Sequence, residues 1–91
     1  MTQDEAAAQL RQWASSELIR EQIAARIAKP IVEGTLKPGE QPPDTAELAV
    51  FHEVSGTTVR TAKGIIGQAG LLRKDAADRW VVADWKTPAS A

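Results

Sequence analysis

Between Ile31 and Leu72 the chain marks its own element boundaries almost residue by residue. Leu36-Lys37-Pro38-Gly39-Glu40 is a turn signal. Proline presets φ at the second turn position, and glycine accepts the positive φ that a type II turn needs at the third. Pro42-Pro43 follows, stiff and extended, and Asp44 stands three residues before Glu47, the spacing of a capping box. The spacing predicts a helix from Thr45 to about His52 that buries Leu48, Ala49 and Phe51 or His52, with Val54 a buried turn residue after it. Ser55 is the next N-cap. Val59, Ala62, Ile66 and Ala69, with Ile65 adjoining, then form a core-facing stripe, and Gly70 closes that helix.

The opposite face of this second helix carries Gly56, Thr57, Arg60, Thr61, Lys63, Gly64 and Gln68, small and polar with two cations. Gly64 and Gly67 each cost about 1 kcal/mol relative to alanine inside a helix. Beyond Gly70, Leu71–Lys74 and Trp80–Trp85 read as two short strands joined through Asp75-Ala76-Ala77-Asp78-Arg79, where Asp75 and Asp78 are the favourable turn formers.

Upstream, Thr2-x-x-Glu5 again has capping-box spacing, and Leu10, Trp13 and Ala14 continue an apolar stripe, which predicts a helix over 3–14. So short a helix is marginal in water unless it docks. Ser15 and Ser16 supply the cap of the next helix, in which Ile19, Ile23, Ile27 and Ile31 step by four. Pro30 lacks an N–H and crowds the carbonyl of Arg26, so the helix is expected to kink near Lys29 or end there, with a looser turn to Gly34.

The resulting order of helix, helix, turn, helix and hairpin is mainly α with a small β-hairpin. It is the layout of a winged helix-turn-helix, a three-helix core plus wing, with an extra N-terminal helix. The expected division is an N-terminal helical extension over 1–15, the winged domain over 16–85 and a flexible tail over 86–91.

Composition narrows the function. At 91 residues there is room for one small domain. The absence of cysteine excludes a disulfide framework or cysteine-ligated metal and fits a reducing, cytoplasmic setting. No apolar stretch approaches the roughly 18 residues of a membrane span, and Asp4 and Glu5 stand where a secretory signal needs positive charge. The formal net charge is −1, so any nucleic-acid surface has to be a local patch. His52 is the single histidine and has no ligand partners at metal spacing; Asp44, Glu47 and Ser55 are accounted for by capping. No triad, phosphate loop or metal cluster is present, so enzyme activity, a cofactor and a small-molecule ligand are not expected.

The words Gly34-x-Leu36-x-Pro38-Gly39, Pro43, Glu47-Leu48-Ala49, Val54-Ser55-x-Thr57-Thr58-Val59-Arg60-x-Ala62 and Gly70-Leu71-Leu72, in that order, resemble the DNA-binding domain of the GntR family of bacterial transcription regulators over about residues 18 to 84. The resemblance implies a winged helix-turn-helix that binds a palindromic operator in double-stranded DNA as a dimer. It makes Gly56–Ala69 the recognition helix, Arg60 a DNA contact, and Thr57 and Thr58 phosphate neighbours at its N-terminus. The family often has arginine where Ala46 and Gly56 stand, and a Gly-x-Gly wing tip with basic neighbours where Ala77, Asp78 and Arg79 stand. It also usually carries a C-terminal effector domain, whereas only about seven residues follow Asp84, so a DNA-binding module lacking that domain is expected.

Two readings stay open at several positions. Arg60 and Lys63, with Thr57, Thr58 and Thr61, are DNA contacts or a solvated helix face. Arg73, Lys74 and Arg79 flank DNA or keep the hairpin soluble. Trp13 and Trp85 cover the edges of a small core or form a homodimer contact. The alternative to DNA binding is a winged helix used for protein interaction, or a small accessory factor of a mobile element with weakened DNA binding.

Overall fold

The computed structural model describes residues 1–86, so the tail expected over 86–91 lies, beyond Lys86, outside the described residues. The order is α1 (Gln3–Ala14), α2 (Ile19–Glu33), α3 (Thr45–His52), α4 (Gly56–Gln68), β1 (Leu72–Lys74) and β2 (Trp80–Val82). One apolar core joins all four helices and the hairpin. Ile23, Ile27 and Ile31 of α2 meet Val59, Ala62 and Ile66 of α4, with Leu48, Leu71 and Val82 around them.

The N-terminal helix forms as its cap predicts. Thr2 Oγ1 accepts from the Glu5 N–H at 3.1 Å and Glu5 Oε1 accepts from the Thr2 N–H at 2.8 Å. It docks on α2 through Ala6 and Trp13, both buried in the common core. Two further bonds tie it down: Gln3 Nε2 donates to the Val32 carbonyl at 2.8 Å, and the Met1 ammonium donates to the Trp85 carbonyl at 3.0 Å.

The start of α2 differs from expectation. Its N-cap is Leu18, with no side-chain cap. Ser16 acts earlier, its Oγ accepting from the Leu18 N–H at 3.0 Å while its carbonyl accepts from Gln22 Nε2 at 2.7 Å. Ile19 is exposed, so only three of the four isoleucines form the buried stripe. Nor does Pro30 end the helix, which runs on to Glu33. Ile31 and Val32, buried just past the proline, hold the last turn against the core and offset the missing Arg26 bond. Gly34 then closes α2 in the left-handed region, as expected.

The Pro–Gly turn forms between Lys37 and Glu40, whose N–H donates to the Lys37 carbonyl at 3.0 Å, with Gly39 at φ 87°. It has a second role. The Gly39 N–H donates to the Val82 carbonyl and the Val82 N–H to the Glu40 carbonyl, each at 2.8 Å. The turn thus lines one edge of β2 while β1 pairs antiparallel along the other, Leu72 opposite Val82 and Lys74 opposite Trp80.

Of the residues expected to be buried by α3, Leu48 is, and Ala49 and His52 are half-buried; Phe51 is exposed. Position 52 lies nearer than 51 to the Leu48 direction on a 3.6-residue wheel, so geometry rather than apolarity decides the pair. Val54 is half-buried against the core. Glu53 supplies the left-handed turn residue between α3 and α4, at φ 57°.

The two α4 glycines separate in the structure. A methyl group at Gly64 would meet nothing within 4 Å, whereas one at Gly67 would fall 2.8 Å from the Trp80 ring. Gly67 therefore lets the wing tryptophan lie directly on the helix. Gly64→Ala is expected to stabilise the domain by about 1 kcal/mol through helix propensity alone. Gly67→Ala should destabilise it by about 1–3 kcal/mol through overpacking. Paired urea melts check the opposite signs. At its end α4 closes with the Leu71 N–H on the Ile66 carbonyl and the Gly70 N–H on that of Gly67, with Gly70 at φ 87°.

Candidate nucleic-acid interface

Helix α4 is held on one side and open on the other. Val59, Ala62 and Ile66 have no exposed surface, which fixes the rotation of the helix about its axis. That rotation turns Thr57, Arg60 and Thr61 outward, exposed at i, i+3 and i+4, with half-buried Thr58 beside them. The first turn is organised by Ser55, whose Oγ accepts from the Thr58 N–H at 3.1 Å and lies 3.0 Å from Thr58 Oγ1. Gly56 opens the helix with no side chain, and the Arg60 guanidinium lies back beside it: a methyl group there would sit 3.8 Å from Arg60 Nη2. Hydroxyls, a guanidinium and the positive end of a 13-residue helix thus share one small exposed surface, suited to phosphate oxygens and base edges.

Lys63 is not on that surface, contrary to its expected place on the polar face. It is 5% exposed, and its Nζ donates to the Pro43 carbonyl and to Thr45 Oγ1, each at 3.2 Å. Burial pushes its pKa down and the Lys74 charge adds to that, while Asp44 opposes it. Lys63 is therefore a brace that fastens α4 to the start of α3. Residue 63 follows the core residue Ala62, on the side of α4 that α3 approaches, and a sequence alone does not say where α3 lies. The Asp44 cap forms beside it, its Oδ1 accepting from the Ala46 N–H at 3.0 Å.

The wing spends part of its charge on itself. One Asp75 oxygen accepts from the N–H groups of Ala77 and Arg79, each at 2.9 Å, and the other pairs with Arg79 Nε at 3.2 Å. The backbone bond from Arg79 is the main reason the Asp75 carboxyl sits below the usual carboxylate range; the bond from Ala77 and the Arg79 charge add to it, and burial opposes it. Asp78 takes the left-handed position at φ 62°, the place where glycine is ordinarily favoured. Lys74 Nζ stands 4.4 Å from the Trp80 ring centroid and donates to the Asp78 carbonyl at 3.4 Å. Of the three wing cations, Arg79 is thus ion-paired, Lys74 is held against the ring, and Arg73 is exposed on β1.

The two tryptophans considered for a dimer contact lie inside the protomer, Trp13 at 5% and Trp85 at 8% exposure. They cover core edges, the other of the two readings. His52 stands edge-on to Phe51, ring centroids 4.9 Å apart; burial first, and the Arg26 charge second, lower its pKa. Among the described residues no cluster of histidine and carboxylate groups could hold a metal ion, and no helix is long and apolar enough to cross a membrane.

A three-helix core with a braced, outward-facing third helix and a hairpin beside it defines a winged helix-turn-helix domain. The family of bacterial regulatory proteins named gntR matches residues 19–82, and the chain belongs to that family. The solved structures agree. YtrA from Sulfolobus acidocaldarius, a GntR-family transcription factor, is 34% identical with a TM-score of 0.66, over 77% of this chain and 73% of that one. A transcriptional antiterminator from Listeria monocytogenes EGD-e is 26% identical (TM-score 0.65, covering 85% of this chain and 58% of that one). A GntR family transcriptional regulator from Listeria monocytogenes is also 26% identical (TM-score 0.65, covering 77% and 61%). No curated relative matches the chain significantly. Like the family, these neighbours are regulators of transcription.

Proposed function

We propose that this chain is the DNA-binding domain of a GntR-type transcription regulator, acting in the cytoplasm as a dimer on a palindromic operator. In this reading α4 enters the major groove with Thr57, Thr58, Arg60 and Thr61 against phosphates and base edges. Arg73 and Lys74, with Arg79 at the tip, flank it along the backbone. Lys63 contributes indirectly, by fixing the angle between α3 and α4. The observation that carries the reading is the Thr57–Arg60–Thr61 stripe, outward-facing on a helix whose rotation three fully buried residues hold. The GntR-family transcription factor YtrA, similar over most of both chains, supports it.

A salt series on random duplex DNA tests the proposal. Each phosphate neutralised contributes about −0.9 to the slope of log affinity against log salt, so Arg60, Arg73 and Lys74 give a slope of about −3 per protomer, Arg79 being paired with Asp75. Absence of binding even at low salt would sink it. A second reading, a winged helix used for protein interaction, is favoured by two features: Arg79 is committed to Asp75, and α3 exposes apolar side chains.

A further inference from the structure

Helices α1 and α2 form an antiparallel hairpin, joined by the short 15–18 segment and tied at the far end by the Gln3–Val32 bond. A shallow groove runs between them. Half-buried Leu10, exposed Ala14 and buried Ala25 give it an apolar floor. Arg11 on the α1 bank and Arg26 and Lys29 on the α2 bank stand over that floor, all three exposed, against one acid, Glu33. Among the described residues none of these three cations makes a side-chain hydrogen bond or an ion pair. Arg26 also borders the groove between α2 and α3 together with Glu47, but the two are not paired. A chain of formal net charge −1 thus gathers unpaired positive charge around a strip of apolar surface. The α1 bank lies outside residues 19–82, the span shared with the family, so the groove is an addition to the family's domain.

We propose that this groove takes an acidic amphipathic helix of a partner protein. A third helix laid along an antiparallel pair buries its apolar stripe in the groove between the two. Carboxylates flanking that stripe then reach Arg11 on one bank and Arg26 and Lys29 on the other. Floor and rim together select this occupant. A nucleic-acid backbone would satisfy the cations but leave the Leu10–Ala14–Ala25 floor facing phosphates. An uncharged apolar helix would cover the floor but strip water from three unpaired charges, which is costly. The groove shares no residue with the Thr57–Arg60–Thr61 surface, so the domain can hold this partner and DNA together. The pairing itself does not rest on the DNA-binding reading. Because the charged rim is exposed, the contact is weak and sensitive to salt.

The probe is a 12-residue peptide, as long as α1, with leucines on one helical stripe and glutamates on either side of it. Titrated at low salt and without DNA into the isotope-labelled chain, it is expected to shift the amide resonances of Leu10, Arg11, Ala14, Ala25, Arg26 and Lys29. The same peptide with glutamine for glutamate should bind about tenfold more weakly, the joint effect of three exposed charge pairs. Arg11→Glu combined with Lys29→Glu should weaken the acidic peptide by at least about that factor. That variant should also bind a lysine-for-glutamate peptide better than the parent does, which lost folding would not produce. Circular dichroism checks that it is folded; if it is not, Arg11→Gln with Lys29→Gln takes its place. Four results overturn the proposal: no shift with the acidic peptide, shifts that lie elsewhere, equal binding of the glutamate and glutamine peptides, or a short random DNA duplex that moves the groove resonances as strongly.

Discussion

Replacing Trp13 with alanine is expected to lower the folding stability of the whole domain by about 3–5 kcal/mol, the range for deleting a buried tryptophan. The side chain is 5% exposed and sits in the same apolar cluster as Ile23 and Ile27 of α2. Its loss removes the largest buried side chain of α1, leaving Ala6, the half-buried Leu10 and Met1 and the bonds from Gln3 and Met1 to hold a helix too short to persist alone. Single domains are stable by only about 5–15 kcal/mol, so the variant should lie near its unfolding threshold at growth temperature. Urea unfolding of the two proteins gives the difference directly. A loss below about 1 kcal/mol, within the ordinary range for surface changes, would instead mean that α1 is an appendage and that the domain proper begins near residue 16.

Replacing Arg60 with alanine is expected to weaken operator binding by about 1–3 kcal/mol, or roughly 5- to 150-fold, if the guanidinium grips a base edge. Because the residue is exposed, thermal unfolding should move little. The salt slope separates two modes of binding. If Arg60 grips a phosphate, its removal reduces the slope by about 1 and weakens all sequences alike; if it grips a base, its removal relaxes preference at one position. Lys63→Met provides the contrast. It strands the Pro43 carbonyl and Thr45 hydroxyl at a cost of about 1–3 kcal/mol in stability, and should leave the salt slope unchanged. Unaltered operator affinity in the Arg60 variant would remove that residue from the interface.

Arg60 is legible from the sequence because helical spacing sets it away from Val59, Ala62 and Ile66, and a face is fixed once its opposite is buried. The caps of α1, α3 and α4, the Pro–Gly turn and the glycine closures are legible for a similar reason. Each is decided by bonds among residues a few places apart. The expected cap from Ser15 and Ser16, and the ending of α2 near Lys29 that is one of the two outcomes expected of Pro30, fail where that locality fails: packing of Ile31 and Val32 carries α2 through a residue that ends isolated helices.

Lys63 and Phe51 show the same limit from opposite directions. A lysine on a seemingly polar face becomes a buried brace because α3 and the Pro42–Pro43 segment close over it. A lone phenylalanine, the most apolar candidate on α3, stays in solvent because His52 lies closer to the core. Residue type names what a side chain prefers; the neighbouring element decides what it meets.

The sequence by itself determined the element order, the winged helix-turn-helix class and the outward stripe of α4, because caps, turns and apolar periodicity act within a few residues. Only the tertiary structure decided that Trp13 and Trp85 are core, that Lys63 braces α4 against α3, that Asp75 engages Arg79, and that Gly67 but not Gly64 is needed for packing. Each of those outcomes depends on a distance between side chains brought together by folding, which the spacing along one chain does not contain.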